Sequence, residues 1–225
     1  MGKNKPRYRH DFTGSHRVVG KTAAWTVSAL LLVYVFTTTI GLVSLPSPET
    51  PIGDPFFTLM ELLTLLIAPL MLLCMIAVHA YASPGNKAFS SMALICMLLM
   101  TGITSSVHFV VLTVGHPMEM NAPELHRNLF SFKWPSLVYA LDILAWDWFY
   151  ALSMLLAAPV FGTGKLQKKV RMLMIASGVL SLAGLLGVPL DDMRIRNIGI
   201  IGYAVIAPVV FLLLGRVFER AGTSP

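Results

Sequence analysis

Four ionisable side chains stand inside stretches that otherwise carry almost no charge: Glu61, His108, Asp142 and Asp147. A further histidine, His79, lies near the end of one such stretch. An ionised group at the centre of a bilayer costs about 2.5–3.5 kcal/mol on insertion scales. Residues of this kind therefore mark either an ion or substrate site or a polar bond between helices. Two carboxylates and an imidazole can bind a cation, relay protons, or serve as general acid and base on an amphipathic substrate. The same donors suit Zn²⁺ in an open site. However, no His-x-x-x-His or Glu-x-x-His spacing occurs, so no metal is assigned and no cofactor is named.

The elements that must position these residues follow from composition. The 225 residues are 56% hydrophobic and only 12% charged, with mean hydropathy +0.72 and net charge +6. A soluble domain is about one-quarter charged. A soluble globular domain, a disordered chain and a disulfide-rich secreted scaffold are therefore excluded, and a polytopic membrane protein remains. Six stretches hold the roughly 20 apolar residues that a membrane helix needs. They run from about Ala23 to Leu45, Phe56 to Ala82, Phe89 to Val114, Pro135 to Phe161, Val170 to Val188 and Ile198 to Val217. Turn formers separate them, among them Pro46-Ser47-Pro48, Ser83-Pro84-Gly85-Asn86 and Gly162-Thr163-Gly164. The fold expected is an all-α bundle of six transmembrane helices. A basic tail (1–22) and a short C-terminal tail (219–225) flank one domain (23–218). No motif shared by its two halves supports an inverted repeat.

Orientation follows from lysine and arginine. Of the 17 such residues, all but Arg127, Lys133, Arg194 and Arg196 fall in the two tails, the second loop and the fourth loop. Both termini are accordingly expected in the cytoplasm of a bacterial-type plasma membrane. The basic excess is read as an orientation signal, not as a nucleic-acid footprint. The long basic segment and long first apolar stretch argue against a cleaved signal peptide.

Topology then gives depth at about 1.5 Å per residue. Glu61 lies roughly one and a half turns below the outer end of helix two. His108 and Asp142 lie roughly two turns below the outer ends of helices three and four. Three consecutive helices thus place an ionisable group in the outer third of the membrane. At helical periodicity Tyr139, Asp142, Trp146, Phe149, Tyr150 and Ser153 form one stripe, and Thr101, Thr104, Ser105 and His108 another. Asp147 is about 140° from Asp142 around an ideal helix and is expected to face a different neighbour. The site expected is a polar cavity open to the outside, lined by Glu61, His108, Asp142 and Ser105 and walled by Tyr139, Trp146 and Tyr150.

Other segments read as scaffold. Ser177, Ser181 and Gly184 fall on nearly one face of helix five, and helix six begins Gly199-Ile-Ile-Gly202, so these two helices are expected to pack closely. Cys74 and Cys96 are small core residues. The long loop from about Gly115 to Trp134 carries Leu125, Leu129 and Phe132 at helical spacing. It reads as an interfacial helix anchored by Trp134, with a lid as the alternative. The run Asp191-Asp192-Met193-Arg194-Ile195-Arg196-Asn197 reads as surface ion pairs and a cap for helix six. His79 and His108 lie too far apart in depth for a bis-histidine haem. No intramembrane lysine suits a Schiff base, and no phosphate loop or nucleophile elbow occurs.

The function expected first is a small transporter or a proton- or cation-coupled binding protein. An intramembrane enzyme acting on a lipid-like or isoprenoid substrate, and a structural or accessory subunit, are the rivals. The partners expected are the lipid bilayer, a small ion or amphipathic ligand, and a second copy of the chain.

Overall fold

The computed structural model describes residues 12–47, 50–162 and 164–221. Each apolar stretch becomes one long helix: α1 (Gly14–Val43), α2 (Phe56–Tyr81), α3 (Pro84–Gly115), α4 (Leu137–Val160), α5 (Lys165–Gly187) and α6 (Met193–Arg220). No strand occurs among the described residues. The six helices are each long and apolar enough to cross a membrane, which makes this a multi-pass membrane protein. The largest departures from the sequence reading lie at helix starts. α1 begins at Gly14, so Arg17 and Lys21 ride its first turns, and α6 begins at Met193, so Arg194 and Arg196 are helical. The tail cations Lys3, Lys5, Arg7 and Arg9 and the loop acid Glu49 lie outside the described residues.

Helix starts carry local reasons. Asp54 Oδ1 accepts from the Thr58 N–H (3.1 Å) and hydroxyl (2.6 Å) and so closes the first turn of α2. Ser136 caps α4 by accepting from Tyr139 N–H. Asp192 caps α6 by accepting from Arg194 N–H at 3.0 Å, as the sequence predicts. Asp191 before it holds φ at 50°, in the left-handed region that aspartate tolerates better than most residues.

Each helix packs on its neighbours in sequence, and α6 returns to pack on α1, closing a ring. Lipid gives no hydrophobic push between helices, so close contact and polar bonds must hold them. A hydroxyl bonds five of the six neighbouring pairs. Ser28 donates to the Pro208 carbonyl (α1–α6), Thr101 to Ala68 (α3–α2), and Ser153 to Ala93 (α4–α3). Tyr150 Oη meets Ser177 Oγ at 2.7 Å (α4–α5), and Ser177 also donates to the Gly202 carbonyl at 2.9 Å (α5–α6). The α5–α6 contact is the one the small residues predict. A Cβ on Gly202 would lie 2.6 Å from the Ser177 carbonyl oxygen. One contiguous core fills the ring, with Met71, Met75, Met97, Met100, Met154, Met174, Phe161, Phe211 and Phe218 fully buried within it.

Three helices contain wide π-helical turns, α3 over Val111–Gly115, α4 over Leu144–Tyr150 and α6 over Ile201–Ile206, and the last two face each other. They meet through Trp146 and Tyr203, whose ring centroids are 5.3 Å apart. The α3–α4 connection holds two short helices, His116–Asn121 and Pro123–Leu129. Leu125 and Leu129 belong to the second, but Phe132 does not. The chain from Phe130 to Pro135 runs as a non-helical strap across the end of the bundle.

Candidate functional site

The Glu61, His108 and Asp142 side chains come together from α2, α3 and α4. His108 Nδ1 lies 2.7 Å from Glu61 Oε2, the distance of a charge-assisted hydrogen bond. Its other nitrogen, Nε2, faces Asp142 Oδ1 at 3.6 Å, too long for a hydrogen bond but close enough for an ion pair. The three residues are 4%, 4% and 9% exposed. They are in direct contact and closed off, where the sequence reading expects them to line an open cavity.

The closure has a second cause, a residue that sequence reasoning assigns to the surface. Arg196, 6% exposed, enters the bundle from the first turn of α6. Its Nη2 donates to Asp142 Oδ2 at 2.8 Å and its Nε to Asp147 Oδ2 at 3.3 Å. Its Nη1 donates to Tyr139 Oη at 3.1 Å, and the guanidinium lies 4.6 Å above the Tyr139 ring centre. The planar fork of arginine is what lets one side chain serve three partners. Arg194, two residues earlier, stays at the surface on Asp192, as expected for a solvated pair.

Asp147 shares Arg196 with Asp142 and also reaches a neighbour of its own, the α5–α6 contact. It lies in the π-helical turn of α4, where each residue advances through a smaller angle than in an α-helix, so it swings back towards Asp142. It is fully buried, with Oδ1 wedged into the α5–α6 contact. A Cβ on Gly184 would lie 2.9 Å from that oxygen, and one on Gly199 would overlap it. Two glycines thus make room for one carboxylate.

The remaining predicted residues divide. Tyr139 joins the network through Arg196. Trp146 packs tilted and Tyr150 edge-on against Tyr203, which interacts electrostatically with Arg196, Asp147 and Asp142. They line one flank of the network and are not a wall around His108. Ser105 is half-buried and takes part in none of the hydrogen bonds of the network. From α1, Tyr34 interacts electrostatically with Asp142, Glu61 and Arg196. Neither Tyr34, Tyr203 nor Arg196 belongs to the site the sequence predicts.

Two features of the network are unbalanced. Three carboxylates share one guanidinium and one imidazole. With the imidazole neutral and the acids ionised, two negative charges have no counter-charge. In addition, His108 Nε2 and Asp147 Oδ1 are buried without a hydrogen-bond partner among the described residues.

The class that fold and site define is a six-helix membrane protein with a buried ionic network bridging α2, α3, α4 and α6. Comparison with family models, curated proteins and solved structures finds no match for this chain.

Proposed function

We propose that the protein is a small proton-coupled membrane transporter, with Glu61, His108 and Asp142 as its proton-binding site, here in an occluded state. The charge imbalance carries this reading. Pairing of acids with bases serves a purely structural subunit equally well, but a structural staple gains by being neutral. Uncompensated charge in a low-dielectric interior is costly. The network becomes neutral when it holds two protons, one on the imidazole and one on a carboxyl. Arg196 clamps Asp142 and Asp147, so the exchangeable pair is Glu61 and His108. Tyr34, Tyr139 and Tyr203 are the other titratable groups facing it.

In this reading both termini are cytoplasmic, the membrane is a bacterial-type plasma membrane, and the network lies in the outer half of the bilayer. Proteoliposomes adsorbed on a solid-supported membrane test it through the charge displaced when pH steps from about 8 to about 5. The wild-type protein is expected to give a transient current that E61Q and D142N lack while remaining monodisperse. Folded variants with the wild-type transient, or a wild-type protein without one, overturn the proposal and leave the structural subunit.

A further inference from the structure

On its His108 side the buried network is covered by the strap. Phe132 in the strap lies on His108, with ring centroids 5.4 Å apart and planes 26° from parallel. Phe132 is itself half-buried, and Lys133 beside it is exposed. A half-buried aromatic ring thus covers an imidazole whose Nε2 has no hydrogen-bond partner among the described residues. Around it, Phe57, Phe130 and Leu141 pack on Val107, Val111 and Val138 in a small apolar cluster separate from the main core.

The strap is pinned at both sides of the ring. Ser136 donates its hydroxyl to the Ser131 carbonyl, and Trp134 packs edge-on against Tyr139 at 6.3 Å. Tyr139 accepts from Arg196, so the strap is joined to the ion network through Trp134 as well as through the Phe132 ring. The pinning residues are Ser131 and Trp134 of the strap, Ser136 at the cap of α4 and Tyr139 in its first turn.

We propose that Phe132 is the door of the ion site. Displacement of its ring exposes His108 Nε2, Glu61 and Asp142 to the adjoining water, and the pinned strap returns it. The inference rests on reading Glu61 and His108 as the proton site. It adds the path, which passes Phe132 and reaches His108 first. Asp147 and Arg196 lie behind Asp142 and are not on the path.

The test is chemical access to the carboxylates. The purified protein is treated with a water-soluble carbodiimide and glycine methyl ester, and modified residues are quantified by mass spectrometry. F132A is expected to raise modification of Glu61 and Asp142 by roughly an order of magnitude, about what loss of one stacked aromatic contact and its bulk allows. F132L is expected to fall between, and Asp147 to stay unmodified in all three proteins. If F132A and F132L both modify at the wild-type rate, Phe132 is not the door. If Asp147 modifies as fast as Glu61, the bundle has loosened as a whole and the path is wrong. The pH-step current reports on the proton site separately. Faster modification in F132A together with a current indifferent to E61Q keeps the door and removes the proton reading. An E61Q-sensitive current with no change in modification does the reverse.

Discussion

Arg196 decides the charge state of the centre. Removing one partner of a buried ion pair leaves the other uncompensated, at a cost of about 3–5 kcal/mol. R196M strands both Asp142 and Asp147, so it is expected to lower unfolding stability in detergent by that amount. R196K keeps the charge but cannot present a fork to two carboxylates and a phenol, and is expected to fall between. Pairing R196M with D147N should recover part of the loss, since the double variant removes a charge that the single variant leaves buried. Equal stability of R196M and wild type would remove Arg196 from the network. The misplacement of this residue in the sequence reading has a physical cause. It lies among Asp191, Asp192 and Arg194, in a run too polar to register as membrane helix. The signal that finds it is phase: Arg196, Gly199 and Tyr203 recur at three and four residues, on the face that meets Asp147.

At the scale of elements, the pairing of α4 with α6 depends on backbone features with little side-chain signature. Hydropathy shows where α4 lies but not that Leu144–Tyr150 is underwound, so ideal geometry turns Asp147 the wrong way. That Glu61, His108 and Asp142 share one level of the bundle is legible, because a common level needs only topology and rise per residue. The small residues of α5 and α6 are legible as a packing surface, but not as the seat of a carboxylate. G199A places a methyl group on Asp147 Oδ1 and is expected to destabilise by about 1–3 kcal/mol, the range for overpacking. Adding D147A should relieve most of that, as thermal unfolding of the two variants would reveal. The start of α6 carries a pH-dependent element of its own. Hydrogen bonds from Arg194 hold the Asp192 carboxyl below the ordinary aspartate range. A depressed value means its stabilising contribution is present above the usual aspartate pKa of about 3.9 and is lost as pH falls through the lower folded value. D192N should flatten this acid limb of the melting-temperature profile slightly, and less so in high salt because the pair is exposed. An unchanged acid limb would show that the cap titrates without affecting the fold.

For the whole molecule, six spans are an even number, and the topology proposed above puts the start of α1 and the end of α6 on one side of a membrane. The position of Arg196 sharpens the charge argument for which side that is. With Arg196 inside the bundle, the α3–α4 and α5–α6 connections and the first turn of α6 keep only Arg127, Lys133 and Arg194 of the 17 basic residues at the surface. That contrast orients helices because basic residues are retained on the cytoplasmic side. The fold also supplies a clean background for testing it. Cys74 and Cys96 are both buried, at 0% and 6% exposure, so a membrane-impermeant maleimide should leave the native thiols unmodified. Single cysteines at the exposed positions Lys168 and Ala221 probe one face, and at Glu124 and Lys133 the other. In vesicles of inside-out orientation K168C and A221C are expected to label from outside, and E124C and K133C only after permeabilisation. In right-side-out vesicles the pattern should invert. Labelling of all four from one side would break the six-span topology, and a reversed pattern would turn the Phe132 strap to face the cytoplasm.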